Sequence, residues 1–261
     1  MSPSNDDSAA FARDGHVLIR GLLARQDVAR HRAVIGNVVA EVSARGDVQD
    51  RIDDYSKLFT QVTNVWRLSE DARAVVFDRR FAARAAELLG VSAVRLYHDQ
   101  ALFKPAGADR TPWHQDRYYW PLDTDRTVTM WLALVDIDRE MGLMSFASGS
   151  HRTTDGLGDL VISDATDQRL QKIISERAWP VSHTPAMKAG DATFHAGATI
   201  HSAGANRSAR TREVLTVIYF ADGARVSEPA NENQRTDLAV FLPGLRPGEE
   251  AASELNPILY P

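Results

Sequence analysis

Behind residue 90 this chain is a series of strand-like runs separated by turns, and that texture restricts its fold more than any other feature. Runs rich in Val, Thr, Tyr, Phe and Trp occupy residues 94–104, 127–137, 192–201 and 214–221. Such residues suit a pleated, half-buried surface. Between the runs lie KPAGADRTP, GLMSFASGSHR and DGARVSEPANEN, whose Gly, Pro, Asn and Asp are turn formers. One further helix fits residues 167–178, but there is no regular strand–helix alternation of the kind a parallel doubly wound sheet needs. The expected class is therefore mainly β, an antiparallel barrel or sandwich with flanking helices.

The first 90 residues supply the helices. Residues 15–23 (GHVLIRGLL) read as a short strand. Residues 26–45 read as a helix with Val28, Ile35, Val38, Val39 and Val42 near one face. A second helix is predicted from Ser69, an N-cap followed by Glu70 and Asp71, through a stripe of Phe77, Phe81, Ala85 and Leu88 to a stop at Gly90. With 261 residues, 44% of them hydrophobic, one domain is expected over 1–261: a helical front to about 90, a barrel over about 91–222, and a polar tail over about 223–261.

Charge and cysteine usage narrow the function. A net charge of −5 gives no footprint for nucleic acid, and no apolar run is long enough to cross a bilayer. The start, MSPSNDDSAAFARDG, lacks a basic n-region and an apolar h-region, so no secretory leader is expected. The absence of cysteine removes disulfides, thiolate metal sites and a cysteine nucleophile, and it fits a cytoplasmic protein. A small-molecule partner is the default; the oligomeric state is left open.

The chemistry begins at WHQD, residues 113–116. In an extended strand residues two apart share a side, so His114 and Asp116 would project together and offer an imidazole nitrogen and a carboxylate oxygen to one metal. His201, 87 residues on (201 − 114), ends the run TFHAGATIH and completes two histidines and a carboxylate. That facial set leaves three coordination positions open and is typical of iron(II) sites that use O2. His195 shares the run with His201 and is the rival third ligand. Eleven residues beyond His201 (212 − 201) stands Arg212, whose guanidinium could fork onto the far carboxylate of a dicarboxylate such as 2-oxoglutarate. The competing reading makes Arg212 a solvated strand-edge cation.

At this point the residues resemble the phytanoyl-CoA dioxygenase family of iron(II)/2-oxoglutarate oxygenases. The resemblance is carried by WHQDRYYW (113–120), TVTMWLALVDID with GLMSFASGSHR (127–152), and GDATFHAGATIHSAGANRSARTR (190–212). It implies a double-stranded β-helix (jelly-roll, cupin-like) fold with helices packed outside. It also implies that His114, Asp116 and His201 ligate iron and that Arg212 holds 2-oxoglutarate, with Trp131 and Ser202 beside the cosubstrate. Two departures stand out: Met141-Gly142 where the family has Asn-Gly, and Ser202 one residue after the distal histidine where the family's serine comes two after. Related halogenases replace the carboxylate by a small residue; Asp116 is present, which favours hydroxylation or another C–H oxidation.

Substrate contacts are expected from Gln61, Asn64, Gln100, Tyr118 and Trp120, with a turn role as the competing reading for Asn64. No phosphate-cradling glycine loop, nucleophile elbow or zincin helix is present. The remaining alternatives are a cupin-like isomerase or hydrolase using the same ligands without a cosubstrate, and a non-catalytic jelly-roll binding module.

Overall fold

The computed structural model describes residues 5–45, 59–153 and 155–261; the extreme N-terminus of the polar start lies outside them. Helices α1 (Asn5–Asp14), α2 (Arg25–Arg45), α3 (Glu70–Val76) and α4 (Arg79–Leu89) form the front, interleaved with β1 (His16–Ile19) and β2 (Thr60–Thr63). The chain then runs through β3 (Val94–Lys104), β4 (Thr111–His114), β5 (Thr127–Ala133), β6 (Met144–Ala147), α5 (Asp164–Glu176), β7 (Val181–His183), β8 (Ala192–Ala196), β9 (His201–Ala203), β10 (Arg212–Ala221), α6 (Glu232–Phe241) and β11 (Ile258–Tyr260). The large sheet has the order β1-β8-β5-β10-β3-β11, with β2 also on β3; the small sheet is β4-β9-β6-β7. All named pairings are antiparallel. This is the mainly β, jelly-roll class with helices outside, built as two sheets and not as one closed ring.

Period-two alternation sorts the large sheet into two faces. Val128, Met130 and Leu132 of β5, Phe194 of β8 and Leu215, Val217 and Tyr219 of β10 join the helices in the main core. Trp131 and Ala133 of β5 and Val214 of β10 face the other way, onto Met144, Phe146 and Ala203 of the small sheet. The polar positions of the same strands therefore open into the space between the sheets.

The structure departs from expectation in four places. The helix expected over 69–90 is two: Ser69 caps α3, Phe77 ends it, and Asp78 caps α4, which stops at left-handed Gly90. The strand expected over 127–137 ends at Ala133. The run 192–201 breaks after Ala196, where Gly197 lies so close to Trp120 that a Cβ would come within 2.4 Å of its ring. The polar tail is folded: β11 pairs with β3, Phe241 and Leu242 are buried, and the fully buried Asn256 amide donates to the carbonyls of Leu96, Tyr97 and Phe241.

Candidate active site

β4 and β9 are neighbours in the small sheet, and their register sets His114 directly opposite His201. The ring centroids are 4.1 Å apart. Past His114, one extended residue, Gln115, leads into a 3₁₀ turn over Asp116–Tyr119. Asp116 thus turns back toward the histidines from the start of a helical turn, not from a continuing strand. Gln115 faces away and anchors the turn, donating to Ala198 O at 2.6 Å.

The two imidazoles are placed and polarised so that they could hold a metal ion. His114 Nδ1 lies 2.8 Å from Pro112 O and His201 Nδ1 2.9 Å from Thr199 O, so each Nδ1 carries the proton and donates it to a carbonyl. That tautomer puts the unprotonated nitrogen of each ring at Nε2, 3.6 Å from Asp116 Oδ1. One ligand atom from each of the three residues lies within 4.8 Å of the others. Burial, and after it His201, lowers His114 to about 4; burial and His195 lower His201 to about 4. Both are neutral near pH 7, as a metal requires. Burial opposes ionisation of Asp116, but His201, His195 and His114 outweigh it and hold the carboxyl well below the usual range. Two neutral nitrogens and one anionic oxygen converging in a buried spot fit a divalent ion such as iron(II).

His195, the rival ligand, stands behind this set. It pairs with Thr129 across β8 and β5. Thr129 Oγ1 donates to Asp116 Oδ2 at 2.8 Å, and His195 Nε2 lies 3.3 Å from the same oxygen. One carboxylate oxygen is thereby tied to the large sheet while the other faces the histidines. Neither supporting residue was singled out as such in the sequence; the expectation that His195 and His201 share one strand hid the division of labour, because the break at Gly197 puts them in different sheets.

Arg212 opens β10 and is buried, at 1% exposure. It is no strand-edge cation in water. Nη1 donates to Gly142 O at 2.6 Å, and the guanidinium lies over the rings of Trp131 (5.2 Å) and Phe59 (5.9 Å). Gly142 has φ +82°, and a Cβ there would come within 2.1 Å of Gly204 O. Directly across the ladder is Lys104, fully buried, its Nζ bound to Asp109 O, Thr111 Oγ1 and Gly204 O. Burial, with Arg212 beside it, lowers the Lys104 ammonium to about 7. Two basic groups side by side suit an anion.

The ligand set and Arg212 line one cleft of about 980 Å³, open mouth included. Ser202, Trp131, Gln61, Gln100 and Trp120 line it too, and the Gln61 amide donates to Gln100 Oε1. Asn64 does not: it takes a left-handed turn (φ 52°), with its backbone N–H on Asp99 O, as a turn residue would. Tyr118 points away and donates to Asp159, because the 3₁₀ turn rotates it outward and brings Tyr119 to the cleft instead. Asp237 and Phe241 of α6 complete the wall, two contributors hidden in what reads as a polar tail.

Comparison with known proteins agrees with this geometry. The family model described as phytanoyl-CoA dioxygenase (PhyH) matches residues 11–214. An ectoine dioxygenase of Streptomyces coelicolor is 28% identical over 245 residues, 87% of this chain and 80% of that protein. Among solved structures, the non-haem α-ketoglutarate-dependent carbocyclase SnoK of nogalamycin biosynthesis superposes with a TM-score of 0.80 at 25% identity, covering 98% of this chain and 96% of the other. The epimerase SnoN of nogalamycin biosynthesis gives 0.76 at 26%, covering 97% of each. Among the described residues no helix is long and apolar enough to cross a membrane. The protein is an iron(II)- and 2-oxoglutarate-dependent dioxygenase that acts with O2 on a small molecule. The chain belongs to the phytanoyl-CoA dioxygenase family.

Proposed function

We propose that His114, Asp116 and His201 hold the iron, that Arg212 receives the distal carboxylate of 2-oxoglutarate, and that a single oxygenase domain oxidises a C–H bond of a secondary metabolite. The observation that carries this reading is the convergence of two Nε2 atoms and Asp116 Oδ1, with both Nδ1 protons committed to carbonyls. Iron(II) so held, with 2-oxoglutarate, supplies O2 activation coupled to release of succinate and CO2.

The chain's own residues supply position. Thr129 and His195 hold Asp116 Oδ2, so that Oδ1 is presented to the ion. Arg212, lying over the rings of Trp131 and Phe59, offers a fork for a carboxylate, and Lys104 adds positive charge beside it. Trp131 acts by backing the guanidinium, and Ser202 stands near the cosubstrate end of the cleft. Gln61, Gln100 and Trp120 face the space left for substrate. The place of SnoK and SnoN in nogalamycin biosynthesis supports a secondary metabolite as substrate. A chain without cysteine suits a reducing compartment, and the cytoplasm is the proposed location.

The test is succinate release from the iron(II)-reconstituted protein under air. Succinate should form only with iron(II), O2 and 2-oxoglutarate together. Turnover with zinc in the absence of O2 would instead identify a hydrolase on the same ligands.

A further inference from the structure

Two carboxamides meet on one wall of the cleft, and the oxygenase chemistry uses neither. β2 pairs with β3 so that Gln61 opposes Leu102 and Thr63 opposes Gln100. The two glutamines are therefore diagonal neighbours on one face of the sheet, within reach of each other's long side chains. The Gln61 amide donates to Gln100 Oε1, and both side chains line the cleft. In the large sheet β5, β10 and β3 are successive strands. Thr129 of β5 grips Asp116, so Gln100 lies two strand spacings, about 10 Å, to the side of that grip. It is also four residues back along β3 from Lys104 (104 − 100), about 13 Å of strand. The pair stands apart from both the ligand set and the anion end.

A hydrogen-bonded pair of carboxamides has a fixed remainder. The link uses one amide N–H and one carbonyl; the other carbonyl and the other NH2 are left over. Turning both amides over exchanges which residue offers which group and leaves the same remainder. Here it is Gln61 Oε1 and Gln100 Nε2. Neither has another hydrogen-bond partner among the described residues, and neither is sealed from open space. In an open cleft such atoms are solvated. A substrate that takes the place of that solvent must supply both a donor and an acceptor, or leave a polar atom unpaired. A carboxylate answers only the NH2, and an ammonium only the oxygen. An amide answers both and continues the N–H···O chain at each end, whereas a hydroxyl must meet both atoms from a single oxygen. Leu102, Met144, Ile162 and Ile218 give the same cleft apolar wall for the rest of the molecule.

We infer that the substrate carries a neutral amide or lactam on an apolar body, and that Gln61 and Gln100 together recognise it at the end remote from the metal ligands. This rests on the cleft being the oxygenase active site, so its test must separate the two. Three bicyclic probes serve: isoquinolone (a lactam), isocoumarin (the same outline with the N–H replaced by oxygen) and α-naphthol (one hydroxyl). Each is titrated calorimetrically, without O2, into the full-length protein loaded with iron(II) and 2-oxoglutarate.

Isoquinolone should bind about tenfold or more tighter than isocoumarin, which leaves Gln61 Oε1 without a donor. Gln100→Met keeps the length of the side chain and removes its polar atoms, so it should abolish that preference. The proposal is overturned by equal binding of lactam and lactone, by a preference that survives Gln100→Met, or by no binding of isoquinolone at millimolar concentration. α-Naphthol binding as tightly as isoquinolone would also overturn it and assign the pair to a hydroxyl. So would a Gln100→Met protein of normal melting temperature with weakened 2-oxoglutarate binding, which would assign the pair to the cosubstrate. If Gln100→Met melts early, Gln61→Met is read in its place by the same criteria. Binding of 2-oxoglutarate to the unsubstituted protein reports on the underlying reading: if it is intact and iron-dependent while the lactam preference is absent, only the substrate class falls.

Discussion

At the scale of single residues, the proposed site divides into atoms that would touch the ion and atoms that aim them. Asp116→Ala removes the anionic ligand and leaves two neutral imidazoles, so iron-dependent succinate release should disappear; unchanged turnover would take Asp116 out of the site. Behind it, Thr129 and His195 hold Oδ2 from the large sheet. Losing such a support commonly weakens metal binding by 10- to 100-fold. Thr129→Val should therefore raise the dissociation constant for Mn(II) by about tenfold while the protein melts near its normal temperature. A variant that melts early but binds Mn(II) normally would make Thr129 merely a packing residue. Arg212→Ala should raise the 2-oxoglutarate dissociation constant by about 10- to 100-fold, the worth of a lost charge-assisted pair. An unchanged constant would assign the cosubstrate carboxylate to Lys104.

At the scale of elements, the cleft depends on where strands stop as much as on where they run. His114 and Asp116 are two residues apart and do meet, yet the second does so from a 3₁₀ turn. The spacing made the pair legible; the turn was not, because nothing in Gln-Asp-Arg-Tyr-Tyr marks a helical start. Arg212 was legible as a strand residue, whereas its burial follows from Gly142 and Gly204 packing backbone to backbone, a contact between distant loops. Least legible was the tail. Its apolar residues fall in short clusters such as LAVFL (238–242) and show no helical period that would announce α6, so Asp237 and Phe241 were missed. Beside the β11–β3 pairing and the buried Phe241 and Leu242, one polar side chain ties this segment down: Asn256, whose amide bridges the carbonyls of Leu96 and Tyr97 at the β3 bulge to Phe241 at the end of α6. Asn256→Leu would leave those buried carbonyls without that donor, costing about 1–3 kcal/mol. The expected result is a melting temperature lower by several degrees with 2-oxoglutarate affinity retained, since Arg212 and the ligands lie at the other end of the cleft. Loss of both together would show that the tail supports the whole cleft.

For the whole molecule, the buried titratable groups fix how stability and metal binding answer to acid. His16, His114 and His201 all sit at about 4, lowered by burial, against an unfolded value near 6.5. Between those values the unfolded chain takes up three protons that the native protein does not, so acid destabilises it. Asp99 works the other way. Fully buried, with Val65 N donating to it at 2.9 Å, it is raised to about 7 and stays protonated in the native state. From these four groups two net protons (3 − 1) are linked to unfolding between about pH 4.5 and 6, and His151, also lowered by burial, adds in the same direction, so the metal-free protein should lose melting temperature steadily across that window. The stabilisation added by saturating Mn(II) should behave differently. A metal competes with protons only where the native ligands titrate, and these imidazoles are already neutral well above pH 4. The Mn(II)-induced rise in melting temperature should accordingly stay nearly constant from about pH 7 to 5 and collapse only toward 4. A rise already halved at about pH 6.5 would mean imidazoles with ordinary affinity for protons; the ligand set would then be solvated, not sealed between two sheets.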